Sequence, residues 1–500
     1  MATEQTVPGW PAQPIILEIN TWVWLDERSR AHRRPVDLGS VEDSDWDDVV
    51  LPAVDAVWLM GVWTRSPADS VIARGDPGVR AELDAALADL TDDDVVGSPY
   101  SVRGYTVDAR LGGNAGLSAA RAALAARGVK LLVDYVPNHV ARDHAWVTAH
   151  PEYLLQATPQ RAEAEPDAFI AVDGRVVALG RDPFFPPWTD VVQLNAFSQP
   201  LRDATTATLC DIAQMADGVR CDMAMLLLND VFAQTWGELA GTPPPDDFWS
   251  SIITRVKQVA PDFAFVAEAY WDREPQLLAQ GFDHCYDKRL YDALIALDAE
   301  GVRTHLTADV EHQRRMLRFV ENHDEPRAAT LLSPTALRTA AVVVATLPGG
   351  VLLYEGQAEG RLSRPPVQLA RRPPEPPDDQ LRAFYRRLLA TLDKTGLRDG
   401  DWRLVDVAAV PAGLPAHGLV AWSWEHGPAW FLVVVNLSDL GCEGRLRLRW
   451  PPPEGDTLVV AEVLDDARYE HSWPDVADQG LYVRLEAHAH HFLQVVHPSI

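Results

Sequence analysis

The chain is short of cysteine, of basic residues and of long apolar runs. Only four cysteines occur in 500 residues, Cys210, Cys221, Cys285 and Cys442, and none stands at metal-ligand spacing. A disulfide framework is therefore not expected, and a reducing compartment is. Lys and Arg number 44 against 72 Asp and Glu, for a net charge of -28. That balance repels nucleic acid and anionic lipid and fits a neutral ligand better. No apolar stretch is long enough to span a bilayer, since Thr339–Leu347 is a short run between turn signals. Met1 to Pro14 shows no basic start followed by an apolar run, so no signal peptide is read there. The expectation is a soluble, cytoplasmic protein with no nucleic-acid or membrane partner.

A length of 500 residues with 47% hydrophobic and 23% charged residues implies a large core and more than one domain. Short apolar runs recur at 15–25, 56–63, 129–136, 218–223, 264–268, 284–286, 316–321 and 351–354. Helical patterns lie between them, as at Leu117–Arg127, Asp246–Val259 and Leu381–Leu392. Strand–helix alternation implies a parallel sheet, and eight repeats imply a (β/α)8 TIM barrel. Two stretches break the rhythm and read as long loops, 66–113 and 140–195. From about Gly396 the runs become closely spaced strands with Gly and Pro turns and no helices, which implies an antiparallel β-sandwich. The expected division is a barrel over 1–139 and 196–395, an inserted domain over 140–195 and a sandwich over 396–500.

Three carboxylates end apolar runs. Asp222 closes Gly218-Val219-Arg220-Cys221-Asp222, Glu268 closes Phe263-Ala264-Phe265-Val266-Ala267-Glu268, and Asp324 closes Phe319-Val320-Glu321-Asn322-His323-Asp324. An acid at the end of a buried strand is costly without a task or a partner. Two carboxyls about 5 to 5.5 Å apart serve a retaining glycosidase, one as nucleophile and one as acid/base. Arg220 would keep the first ionised. The second must carry a proton, for which an apolar surround from Phe265, Tyr270 and Trp271 is expected.

Four segments resemble, in order, the four short signatures of the α-amylase family of glycoside hydrolases. They are Asp134-Tyr135-Val136-Pro137-Asn138-His139, Gly218-Val219-Arg220-Cys221-Asp222, Ala267-Glu268 and Asn322-His323-Asp324. The resemblance implies Asp222 as nucleophile, Glu268 as acid/base and Asp324 as the residue that distorts and holds the sugar. It implies Tyr100 stacking under that sugar, with His139, Arg220 and His323 as further substrate-binding residues. Trp188–Asn195 resembles the segment that closes the insertion, and Leu353–Gln357 the eighth strand.

The chain departs from the family after Asp222, where Met223-Ala224-Met225-Leu226-Leu227 stands and many members carry a Lys-His pair. That departure bears on acceptor binding and on a structural calcium. Asp143, Glu152, Asp167, Asp182 and Asp190 are oxygen donors that suit calcium, but they lack EF-hand spacing. No metal site and no cofactor are expected, with calcium left open. The reading is a retaining α-glycosidase acting on malto-oligosaccharides or related α-glucosides. Alternatives are a transglycosylase or a sucrose/glucoside phosphorylase on the same scaffold, a non-catalytic carbohydrate-binding protein, and a metal-dependent hydrolase using Asp134, His139, His323 and Asp324. The sequence leaves the sugar, the linkage and the oligomeric state open.

Overall fold

Apolar runs that end in a glycine, a proline or a polar cap become the short parallel strands. The computed structural model describes residues 9–496. The strands are β1 (Ile15–Asn20), β2 (Ala56–Met60), β3 (Lys130–Tyr135), β4 (Gly218–Cys221), β5 (Ala264–Ala267), β6 (His284–Tyr286), β7 (Met316–Arg318) and β8 (Gly350–Tyr354). They close into one barrel in chain order. Nearly every strand residue is buried, as strands covered on both faces require.

The chain falls into two compact units. The first holds the described residues up to Val50, then Val54–Tyr286 and Ser363–Glu375; the second holds Leu51–Ala53, Asp287–Leu362 and the described residues from Pro376.

In the first unit, register decides where side chains emerge. Arg220 on β4 pairs with Asp134 on β3 and with Val266 on β5, and Cys221 pairs with Ala267. Asp222 and Glu268 follow that last pair, so they leave adjacent strand tips. Close approach of β4 and β5 needs Gly218, where a Cβ would meet the Ala264 carbonyl at 2.8 Å. Between β3 and the helix Gln199–Met215 lies an antiparallel sheet of His139–Ala141, Trp188–Gln193, Arg175–Gly180, Gln156–Ala157 and Phe169–Val172. Val140, Leu154, Val177, Val192, Leu194 and Leu201 form its core.

In the second unit, β7 and β8 pair in parallel. Beyond the amphipathic helix Asp379–Thr395 stand a six-stranded and a three-stranded antiparallel sheet. Leu432, Val434, Leu458 and Leu493 from one sheet, and Cys442, Leu446, Leu481 and Val483 from the other, belong to a single core. Among the described residues no helix is long and apolar enough to cross a membrane.

Three local expectations change. The first strand stops at Asn20 rather than Leu25, because the Asn20 side chain accepts from the Val23 N–H and starts the helix Thr21–His32. The stretch 66–113 is not loop throughout. Helices Pro67–Gly75 and Pro77–Ala86 form there, each with proline in its first turn behind a Ser66 or Asp76 cap. In the C-terminal region, Arg468–Ser472 adds a strand and Trp473–Gln479 a helix where neither is expected.

Candidate active site

Arg220 is the centre of the polar cluster at the strand tips. It is fully buried on β4, where only a charged network makes such a side chain tolerable. Its Nη1 donates to Asp222 Oδ1 at 2.8 Å, and its Nη2 lies 2.8 Å from Glu268 Oε2. The second contact is an ion pair by distance, without the alignment of a hydrogen bond. Asp134 Oδ1 stands 3.8 Å from Nη1. The guanidinium carbon lies over three rings, at 5.1 Å from Trp58, 5.4 Å from Tyr100 and 5.7 Å from Tyr286. Burial opposes the positive charge, but Glu268, Tyr100, Tyr286 and Asp222 outweigh it and hold the guanidinium well above its ordinary pKa.

Backbone geometry fixes the two carboxylates. The Asp222 N–H donates to the Tyr135 carbonyl and the Glu268 N–H to the Cys221 carbonyl. Met223 then takes the left-handed region at φ 42°, which costs a non-glycine residue on the order of 1 kcal/mol or more. That conformation aims the Met223 N–H at Glu268 Oε2, 2.6 Å away, while the Tyr270 hydroxyl donates to Oε1 at 2.7 Å. Glu268 is therefore met by donors on both oxygens. The apolar wall expected of Tyr270 is instead a phenol hydrogen bond. Trp271 is 37% exposed and packs edge-on against exposed Phe184.

Asp134 shapes the floor. Its Oδ2 accepts from the Gly61 N–H at 2.9 Å, and its backbone carbonyl from Trp63 Nε1 at 2.7 Å. His139 begins the inserted sheet and packs against Trp188, with ring centroids 5.1 Å apart. Burial lowers its pKa to about 4, despite its bond to the Tyr100 carbonyl. At neutral pH the ring is thus uncharged and serves as a neutral hydrogen-bonding group.

Of the residues singled out in the sequence, Asp222, Glu268, Arg220 and Tyr100 come together in one cluster of the first unit, and His139 bonds to its Tyr100. His323 and Asp324 belong to the second unit. There the Asn322 side chain accepts from the Asp324 and Glu325 N–H groups at 2.9 Å, forming a tight turn. His323 Nε2 lies 3.0 Å from Asp324 Oδ2, and the Asp324 side chain is 45% exposed. Sequence reasoning passed over Met223 and Tyr286 as site residues and read Tyr270 only as an apolar wall. A backbone N–H in a left-handed turn leaves no sequence signal, whereas Tyr270, two residues past Glu268, was legible as a neighbour.

The five carboxylates considered for calcium are not gathered. Asp143 pairs with Arg103, Glu152 with His150, and Asp182 accepts from the N–H groups of Phe184 and Phe185. Among the described residues no group of three or more His, Cys, Asp or Glu could hold a metal ion. The turn Ala224–Leu227 is wholly buried and apolar, and Trp249 Nε1 donates to the Ala224 carbonyl. It offers no polar side chain where the family's Lys-His pair stands.

No protein-family model matches the chain. An α-amylase of Haloarcula japonica, MalA, is 26% identical over 350 residues, which cover 67% of this chain and 47% of that protein. The chain thus spans about half the length of that curated relative. Among solved structures, a noncanonic maltogenic α-amylase, AmyB, of Thermotoga neapolitana superposes with a TM-score of 0.67 at 19% identity, covering 97% of this chain and 99% of that one. The α-amylase of Geobacillus thermoleovorans, solved with acarbose, gives 0.68 at 16% identity, covering 98% and 99%. At these identities the structures speak for the fold. The chain is thus similar in sequence to a curated α-amylase and shares its fold with solved α-amylases.

Proposed function

We propose that this chain is a retaining α-glycosidase that cleaves α-glucosidic bonds in malto-oligosaccharides or related α-glucosides. The observation that carries the reading is the Arg220 guanidinium held between Asp222 and Glu268, 2.8 Å from each. An ionised carboxylate and a second carboxyl at neighbouring strand tips suit double displacement. An Asp222 oxygen attacks the anomeric carbon as the glycosidic C–O bond breaks, and Glu268 gives its proton to the departing oxygen. Glu268 then takes a proton from water, which attacks the same carbon and frees Asp222. Tyr100 would stack under the sugar and His139 hydrogen-bond to its hydroxyls. The roles of His323 and Asp324, holding and distorting that sugar, rest on their segment's resemblance.

The domain division at 139/140, 195/196 and 395/396 is part of the same proposal, supported by where the inserted sheet and the C-terminal sheets begin. So is a cytoplasmic location, which cysteines that form no disulfide among the described residues favour.

A fluorinated glucoside that traps the glycosyl-enzyme, followed by peptide mapping, tests the assignment. Label on Asp222 is expected; label elsewhere, or none across α-glucosides, overturns it. Product analysis with maltose, with and without a sugar acceptor or phosphate, separates hydrolysis from transfer on the shared intermediate.

A further inference from the structure

A cavity of about 180 Å³ lies in the first unit between the helices Ala145–Ala149 and Gln199–Met215. Tyr105, His144, Trp146, Thr208, Asp211 and Ile212 line it. None of them makes the hydrogen bonds that build the Arg220 cluster.

Some of its polar groups are already spent. The Tyr105 hydroxyl already donates to the Val136 carbonyl and accepts its N–H, so that residue offers only a ring. His144 Nδ1 accepts from the Trp146 N–H, which leaves the proton on Nε2. Burial keeps that ring neutral by lowering its pKa to about 4. Among the described residues, His144 Nε2, Trp146 Nε1, Thr208 Oγ1 and the Asp211 carboxylate have no side-chain hydrogen-bond partner. The indole is held in place by edge-on packing against His144 and Tyr153, with centroids 4.8 and 5.2 Å apart.

The chemistry selects a ligand class. An anion would face Asp211 and the chain's net charge of -28. An ammonium ion would suit Asp211 but would meet the N–H groups of His144 and Trp146 head-on. An apolar molecule would strand two donors, a hydroxyl and a carboxylate. A neutral polyol satisfies all four, with hydroxyls donating to Asp211, ring and hydroxyl oxygens accepting from the N–H groups, and a C–H face laid on aromatic rings. The volume suits one ring, well under the ~300 Å³ at which pockets for larger ligands begin. We propose that this cavity is a binding site for one neutral hexose unit, separate from the Asp222–Glu268 pair.

The test is calorimetry with glucose and maltose on the full chain carrying Asp222→Asn, with tetramethylammonium as a control ligand. Adding Asp211→Asn, or alternatively Trp146→Ala, should weaken one sugar-binding event about tenfold, the order expected for a lost charged hydrogen bond or aromatic face. Turnover of a small glucoside by otherwise wild-type protein carrying Asp211→Asn should be unchanged. Asp211 is exposed, so that variant keeps the test valid if Trp146→Ala fails to fold. Sugar binding indifferent to both variants, or binding of tetramethylammonium instead of sugar, overturns the proposal. Loss of the glycosidase reading alone would leave this binding intact, which keeps the two failures apart.

Discussion

Arg220 holds Asp222 and Glu268 with one guanidinium, each at 2.8 Å from a different terminal nitrogen. A planar fork can do this, and a lysine's single ammonium cannot. Arg220→Lys should therefore lower kcat by roughly 10²- to 10³-fold, the scale for removing one oriented electrostatic contact, with a smaller change in KM. Steady-state kinetics on maltotriose check it; a kcat within threefold of wild type would show that the fork is dispensable.

Glu268 meets Met223 N–H, Tyr270 hydroxyl and Arg220 in one place. If it protonates the leaving oxygen, Glu268→Gln should slow cleavage of maltose by about 10²- to 10⁴-fold. An aryl α-glucoside whose phenol leaves without a proton should lose far less. The ratio of the two rates is the measurement, and equal losses on both substrates would remove Glu268 from the acid role.

Burial lowers the pKa values of both His139 and His144 to about 4, from 6.5. Between those values the unfolded chain binds protons that the folded chain refuses. Stability then rises with pH across that window and is lost as pH falls from about 6.5 towards 4. Each histidine can account for up to about 3 kcal/mol at the bottom of the window. Asp190 acts the other way: burial, then the charge of Asp69, raises its pKa to about 6 from 3.8, so its contribution fades as pH rises through that range. Burial lowers the His490 pKa to about 4 as well, so with three such histidines against Asp190, denaturant unfolding should give a lower stability at pH 4.5 than at pH 7.5. His139→Gln should flatten the slope, and a slope that stays the same counts against the assignment.

In the second unit Arg327 Nη1 lies 2.7 Å from Glu321 Oε1, and both side chains are buried. Burial pushes the Glu321 pKa up, although Arg327 pulls it down. Arg327→Met would strand that carboxyl and should cost about 3 to 5 kcal/mol, whereas Arg327→Met with Glu321→Gln should recover part of it. Thermal melts of the single and double variants decide; equal melting points for wild type and Arg327→Met would refute the pairing's importance.

Most of the architecture was legible because the barrel strands are buried on both faces and so read as continuous apolar runs. Even the weak sixth strand, His284–Tyr286, forms where it was read. What was missed has local causes. Thr21-Trp22-Val23-Trp24-Leu25 has the composition of a strand, yet the Asn20 cap turns it into a helix. The stretch 66–113 is rich in Asp, Gly and Pro, and the same Ser-Pro and Asp-Pro pairs that suggest loop are helix starts when a periodic segment follows. At the site, side-chain identities pointed to Asp222, Glu268 and Arg220. The left-handed Met223 and the phenol of Tyr270 on Glu268 depend on backbone path and rotamer, which composition does not encode.

The order of residues alone determined the barrel, the acidic tips and the resemblance to one family, because burial pattern and motif spacing are one-dimensional properties. Tertiary structure alone decided that β4 and β5 pair with Cys221 opposite Ala267, bringing two carboxylates 46 residues apart in the chain onto one guanidinium. Strand register sets which side chains meet, and register is settled by packing across the whole sheet rather than by any single segment.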